Sequence, residues 1–269
     1  MRSASSGGAS APVIPVHCRA EVRSNTQLNP AHYLVTVKPE KEMPMPMPGQ
    51  FFMVGLPGRL DPLLKRPFGL FRHGDGLLSF MYRVRGKGTL IMSGLVPGDP
   101  VEILGPLGNH YPLPEGKYRK RKPLLVAGGT GVASLLPLLR ELKKNSIFVY
   151  GGRNRDELLC IDEVRGLAGE FIAATQDGSE GVRGTAVDVV TDLIRGRDKD
   201  GLLLYACGPA GMLKLLQGLG LQGYCAMEEN MACGTGVCLG CAVRTSNGYK
   251  RACTEGPVFD INEVVFERL

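Results

Sequence analysis

The sequence predicts a multi-domain β and α/β protein: an N-terminal antiparallel β-barrel, a parallel α/β nucleotide-binding domain and a small C-terminal cysteine-bearing domain. Three observations predict this. Short β-rich stretches broken by Gly and Pro fill the first third of the chain, strands alternating with helical patterns fill the middle, and four cysteines crowd the end. With 269 residues, 43% of them hydrophobic and 22% charged, the chain can bury more than one core.

In the barrel, strands are expected at Tyr33–Val37, Gln50–Val54, Leu77–Val84 and Pro100–Leu104. The alternating Met and Pro of 43–49 read as a stiff connection whose methionines pack rather than ligate. In the middle, the apolar run Leu124–Ala127 enters Gly128, Gly129, Thr130 and Gly131. A helix follows through Leu135, Leu138, Leu139 and Leu142, then strands at Ile147–Tyr150 and Leu202–Ala206. These are βαβ units of a nucleotide-binding type. The expected segments are a disordered tail at 1–12, the barrel at 13–118, the nucleotide domain at 119–222 and the cysteine domain at 223–269.

Composition excludes several classes. No apolar run is long enough to span a membrane. The net charge is +6, yet the one dense basic run, Lys117–Lys122, reads as a solvated connector. Aromatic residues are few and Trp is absent, which argues against a nucleic-acid platform. The Ser/Gly/Ala-rich start has no apolar core of a signal peptide, so a cytoplasmic location with reduced thiols is expected.

Cys233, Cys238 and Cys241 stand as C-x4-C-x2-C, with Cys253 eleven residues further on. That is the plant-type [2Fe–2S] spacing. Gly234, Gly236 and Gly240 are expected to reach positive φ and to bring N–H groups to the sulfurs. The alternatives are zinc, which usually takes paired C-x2-C knuckles where this chain has one, and disulfides, which the expected compartment disfavours. Cys18, Cys160 and Cys225 fall outside the constellation.

Gly129-Thr-Gly131, between a strand and a helix, offers N–H groups and a positive helix end to a pyrophosphate. A tight structural turn explains it equally well, since Ser134 replaces the third glycine of the usual fingerprint. The missing Lys-Ser/Thr excludes a P-loop. Cys207, Gly208 and Pro209 also follow a strand and face the same crevice, and Thr175–Ser179 is a further candidate for its mouth. In the barrel, Arg66-Pro-Phe-Gly69 and Arg83–Thr89 offer a guanidinium fork and Gly-x-Gly backbone to phosphates, though each alone is a commonplace surface turn.

The order of these motifs resembles the ferredoxin-reductase superfamily and, within it, the electron transfer subunits of class B dihydroorotate dehydrogenase. Pro48–Phe51, Gly105–Asn109, Glu228–Gly234 and Gly256–Phe259 add to the resemblance, which covers all but the tail. It implies FAD on Arg66, Pro67, Phe68 and Gly69, with Arg83, Val84, Gly88 and Thr89 contributing. It implies NAD on Gly128, Gly129, Thr130, Gly131, Cys207, Gly208 and Pro209, and a [2Fe–2S] cluster on Cys233, Cys238, Cys241 and Cys253. No catalytic side-chain acid or base is implied. Gly69 departs from the family, which usually has a hydroxyl residue there.

The resemblance also implies a partner, an FMN-containing dihydroorotate dehydrogenase catalytic subunit in a heterotetramer, docked near Val237 and Leu239 unless those two pack in the core. A related possibility is the small subunit of an NADPH-dependent ferredoxin oxidoreductase. Cys233 speaks against it, because that relative typically has Asp there, while Arg153 and Arg155 are candidates for an NADP 2′-phosphate. A zinc-bearing nucleotide sensor on the same fold is the alternative of another class.

Overall fold

The structure is a computed structural model that describes residues 14–58 and 60–266. The tail expected at 1–12 lies outside the described residues. The first sheet has seven strands: β1 (Val16–Asn29), β2 (His32–Pro39), β3 (Phe51–Gly55), β4 (Arg66–Gly69), β5 (Arg72–Gly74), β6 (Leu77–Arg83) and β7 (Pro100–Leu107). Its order is β4-β3-β7-β1-β2-β6-β5, with every pair antiparallel. The sheet curls so that β4 approaches β6, and Val22, Val35, Val37, Phe52, Phe80 and Ile103 fill its interior. Two stretches differ from the expectation. Arg66–Gly69 is a strand paired with β3, and the Gly-rich run after Arg83 begins the short helix α1 (Lys87–Ser93).

The second sheet alternates with helices: β8 (Lys122–Gly128), α2 (Val132–Leu142), β9 (Ile147–Gly152), α3 (Ile161–Leu167), β10 (Glu170–Thr175), β11 (Val182–Arg183), α4 (Ala186–Arg195), β12 (Leu202–Cys207) and α5 (Ala210–Gly218). Its central strands β8, β9 and β12 are buried on both faces, as their unbroken apolar runs require. Leu135, Leu138 and Leu139 of α2 and Val164 of α3 pack on one face, against Leu125 and Phe148. Val189 and Val190 of α4 and Leu213 and Leu216 of α5 pack on the other, against Val126 and Val149.

The sheet continues past the expected boundary at 222. β13 (Gly223–Ala226) pairs parallel with β12, and β16 (Val258–Asp260) returns antiparallel to β13, giving the order β11-β10-β9-β8-β12-β13-β16. Between them lie the cysteine loop and a hairpin of β14 (Ala242–Thr245) and β15 (Gly248–Arg251). The cysteine segment is thus an excursion from the sheet edge. Among the described residues, no helix is long and apolar enough to cross a membrane.

Named contacts hold the parts together. Arg140 of α2 donates to the Phe71 carbonyl at 2.5 Å and to Glu163 Oε1, while Arg72 donates to Glu163 Oε2. Tyr205 Oη donates to the Pro112 carbonyl at 2.7 Å. Asn109, just beyond β7, binds the backbone before β16: Nδ2 donates to Glu255 O at 3.0 Å and Val258 O at 2.7 Å, and Oδ1 accepts from Val258 N at 2.9 Å. Asn109→Ala leaves the partly enclosed N–H and carbonyl of Val258 unpaired, so we expect a loss of about 2 kcal/mol in urea unfolding. Limited proteolysis should then cut between β13 and β16 first, and wild-type resistance in the variant would refute this role.

Candidate functional site

The motif loops of the second sheet all leave it at one level. Ala127 registers with Cys207, Cys207 with Ala226, Gly128 with Gly151 and Gly152 with Thr175. The turns after β8, β9, β12 and β13 therefore form one wall. β8 has its sequence successor on one side and β12 on the other, so the wall contains the topological switch point, where open α/β sheets bind ligands.

Two loops at that point touch through their backbones. A Cβ on Gly131 would stand 2.1 Å from the Cys207 carbonyl oxygen, so only glycine permits the approach. Gly128 and Gly208 meet in the same way, with 3.0 Å between a Gly208 Cβ and the Gly128 backbone. The turn Gly129–Gly131 is a single 3₁₀ turn that runs directly into α2, and Tyr150 Oη, 3.1 Å from the Gly129 carbonyl, steadies it.

Facing this wall is the barrel edge of β4 and β6. A cleft of about 1020 Å³ separates them. From the barrel it is lined by Arg66, Pro67, Phe68, Gly69, Arg83 and Thr89, and from the sheet by Gly128, Gly129, Thr130, Cys207, Gly208 and Pro209. Val84, Gly88 and Gly131 are not in the lining. Gly88 serves as a seat instead, because a Cβ there would fall 2.2 Å from Arg66 Nε. Val84 is held by its N–H to the Ala31 carbonyl at 2.8 Å and packs on the barrel core. Arg66 also donates to the Leu64 carbonyl, and Thr89 Oγ1 accepts from Arg85 N at 2.9 Å. Nothing lies within 4 Å of a Cβ built on Gly69, so packing does not demand glycine there.

The lining also holds residues to which motif reading gave no role. Tyr82 stacks on Tyr33 with centroids 5.7 Å apart and lies 5.7 Å from the Phe68 ring. Its hydroxyl donates to Asn25 Oδ1, and burial pushes its pKa up to about 12. Ser134 Oγ, 3.2 Å from Tyr111 Oη, also hydrogen-bonds Cys207, whose thiol burial pushes well above its ordinary range. Cys207 is thus a neutral packing surface at physiological pH. Burial raises the Glu228 carboxyl, with Arg85 opposing. Only its place before the cysteine loop marked Glu228 in the sequence, because the wall it joins is made by strand register. Of Thr175–Ser179, Gln176 reaches the lining, while the Thr175 hydroxyl is engaged by Glu180 N and O.

The cysteine loop leans on the far side of β3. A Cβ on Gly234 would fall 2.5 Å from Met53 Cγ, and Met53 registers with Pro67 of β4. The loop is therefore one strand away from the cleft edge. Gly234 and Gly236 have φ of 72° and 84°, as expected, but Gly240 does not, and Leu239 takes the left-handed conformation at 59°. The correction has a plain cause, since the reversal between Cys238 and Cys241 falls one residue earlier than the glycine.

The four thiols form two pairs, Cys233 with Cys238 and Cys241 with Cys253. The first pair is at the surface, with Cys238 exposed, and the second is buried. Among the described residues, no three His, Cys, Asp or Glu side chains gather to hold a single ion. Hydrogen bonds from the Cys238 and Thr235 backbones bring the Cys233 thiol down to about 6, and burial pushes Cys253 up to about 12. Two cysteine pairs, with the Cys238 and Thr235 backbones on Cys233 and the Gly236 backbone on Cys253, are a donor set that fits two sulfide-bridged irons. Val237 and Leu239 are 82% and 63% exposed, which excludes the core-packing alternative for both. Cys18 and Cys225 are buried and Cys160 half-buried, apart from this group.

Comparison with known proteins agrees with this architecture. Residues 228–265 match the family model of the iron–sulfur cluster binding domain of dihydroorotate dehydrogenase B, and residues 125–218 match the oxidoreductase NAD-binding domain. The dihydroorotate dehydrogenase B (NAD(+)) electron transfer subunit of Caldanaerobacter subterraneus subsp. tengcongensis is 38% identical over 256 residues, 92% of this chain and 98% of its own length. That of Geobacillus kaustophilus is 37% identical over the same shares. Among solved structures, an NADH-dependent reduced ferredoxin-NADP oxidoreductase superposes with a TM-score of 0.78 at 26% identity, covering 97% of this chain and 92% of that one. A ferredoxin NADP+ reductase from Neisseria gonorrhoeae shares the fold, with a TM-score of 0.64 at 16% identity, over 80% of this chain and 95% of that one. On this evidence, the chain belongs to the family of dihydroorotate dehydrogenase B (NAD(+)) electron transfer subunits.

Proposed function

We propose that this chain relays electrons from the FMN of a dihydroorotate dehydrogenase catalytic subunit, by way of a [2Fe–2S] cluster and FAD, to NAD+ in pyrimidine biosynthesis. The assembly would be a cytoplasmic heterotetramer. One observation carries the reading. A cleft between the barrel edge and the switch point lies one strand from a loop of paired thiols. When bound, FAD exchanges two electrons as hydride with a nicotinamide and single electrons with an iron–sulfur cluster, so it belongs between them.

The residues supply binding and orientation. Arg66, seated on Gly88 and tied to the Leu64 carbonyl, presents its guanidinium to the flavin phosphates. Arg83, Val84 and Thr89 belong to the same site, Val84 and Thr89 through the backbone turn they fix. Phe68, Pro67 and the Tyr82 ring give the flavin an apolar wall, with Gly69 left open beside it. Gly128, Gly129 and Thr130 receive the NAD pyrophosphate at the start of α2, Gly131 serves by letting that turn approach the Cys207 backbone, and Gly208, Pro209 and the neutral Cys207 thiol line the nicotinamide end. Cys233, Cys238, Cys241 and Cys253 hold the cluster. The exposed Val237 and Leu239 flank it, a surface suited to docking the catalytic subunit. Segments 13–118, 119–222 and 223–269 serve FAD, NAD and the cluster, with β13 and β16 shared between the last two.

An anaerobic absorbance spectrum of the purified chain, titrated with NADH, tests the reading. Bound FAD with iron and sulfide, bleached by NADH, is expected, whereas stoichiometric zinc without flavin would reject it in favour of the sensor. Cys238→Ser should remove the cluster absorbance and electron delivery through it while NADH-to-dye transfer persists. Unchanged cluster absorbance would defeat that ligand assignment. Gly88→Ala should unseat Arg66 and weaken FAD retention on gel filtration by at least about tenfold, about 1.4 kcal/mol. Gly69→Ser should leave the melting temperature unchanged, because its Cβ meets nothing, and should shift the flavin reduction potential.

A further inference from the structure

Both arginines that follow β9 are already engaged by carboxylates. Arg153 Nε donates to Glu157 Oε1 at 2.6 Å, its Nη2 donates to the same oxygen, and its backbone N donates to Oε2 at 2.9 Å. Arg155 Nη1 donates to Glu180 Oε2 at 2.6 Å, and Arg165 holds the other Glu180 oxygen at 2.8 Å. The turn that carries Glu157 is fixed from several sides. Glu157 N donates to Asn154 Oδ1 at 3.3 Å, and Asn29 of the barrel donates to the Asp156 carbonyl at 2.8 Å. Tyr150 Oη lies 3.4 Å from the Glu157 carbonyl and 3.1 Å from that of Gly129, so one hydroxyl ties this turn to the glycine turn.

Arg153 and Glu157 both line the cleft, one strand over from the glycine turn, where Gly128 registers with Gly151. With the nicotinamide end at Cys207 and Pro209 on the other side of β8, the adenosine ribose of a dinucleotide extends toward β9. Residues ending that strand distinguish a ribose 2′-hydroxyl, which a carboxylate accepts, from a 2′-phosphate, which an arginine fork accepts. We propose that Glu157 is the residue that makes this chain select a dinucleotide with a free 2′-hydroxyl. It occupies the Arg153 fork and sets a negative charge where a 2′-phosphate would bring another. The proposal rests on the reading of the cleft as an NAD(H) site.

The test uses the full chain with calorimetric titration of ADP-ribose and 2′-phospho-ADP-ribose, which lack the nicotinamide and so report the adenosine end alone, beside flavin reduction by NADH and NADPH. Wild type should bind ADP-ribose more tightly, and Glu157→Gln should reduce that preference at least about tenfold by tightening the 2′-phosphate ligand. Adding Arg153→Ala to Glu157→Gln should abolish the gain. An unchanged preference in a folded Glu157→Gln variant that NADH still reduces would overturn the proposal and leave the NAD(H) reading standing. Failure of wild type to bind either ligand would overturn both.

Discussion

The contact between Asn109 and the backbone ahead of β16 is the constraint on which the rest of the site depends. One side chain pairs with Glu255, Val258 N and Val258 O, and the Asn109 N–H adds a bond of 2.6 Å to Gly256. Asn109 closes the barrel, Val258 opens the last strand of the parallel sheet, and Cys253 lies just upstream. A short side-chain amide thus ties three parts of the chain at one point. Because every partner is a backbone group, the tie sets distances rather than merely adding attraction.

From that tie follows the spacing of the sites. With the loop between β13 and β16 held at both ends, Gly234 is pressed on Met53, and Met53 sits opposite Pro67. The buried thiols Cys241 and Cys253 share a core with Phe51, Met53 and Leu107. The cluster loop is therefore packed like the interior of a domain on its inner side, while Val237, Cys238 and Leu239 remain in solvent. The proposed relay would use this asymmetry, with the rigid side toward the flavin and the open side toward a partner.

Specific charge placement distinguishes this cleft from a generic nucleotide fold. Arg153, in the lining, is turned onto Glu157, and beyond the lining Arg155 and Arg165 are turned onto Glu180, whereas Arg66 is held by a carbonyl and a glycine seat. In the reading proposed above, this leaves the Arg66 guanidinium for a phosphate, while the other three are already neutralised. The Arg153 pair is local, four residues apart, whereas Arg155 reaches Glu180 across 25 residues of chain.

Local patterns in the sequence determined the two sheets and the candidate ligands. Unbroken apolar runs at Leu124, Ile147 and Leu202 require strands covered on both faces, and C-x4-C-x2-C marks a loop that wraps a cluster, because both are properties of neighbouring residues. The long β1 carried no such pattern, since its polar second half, Ser24–Asn29, looks like a loop until β2 pairs with it. Register and long-range packing lay beyond reach for the same reason. That Gly88 is a seat for Arg66, that Tyr82 and Glu228 enter the cleft, that β13 and β16 embrace the cysteine loop, and that Glu180 covers Arg155 are facts about groups brought together by folding. Only the tertiary structure decides them, because a side chain's charge and reach are written in the sequence but its partner is chosen by the backbone's path.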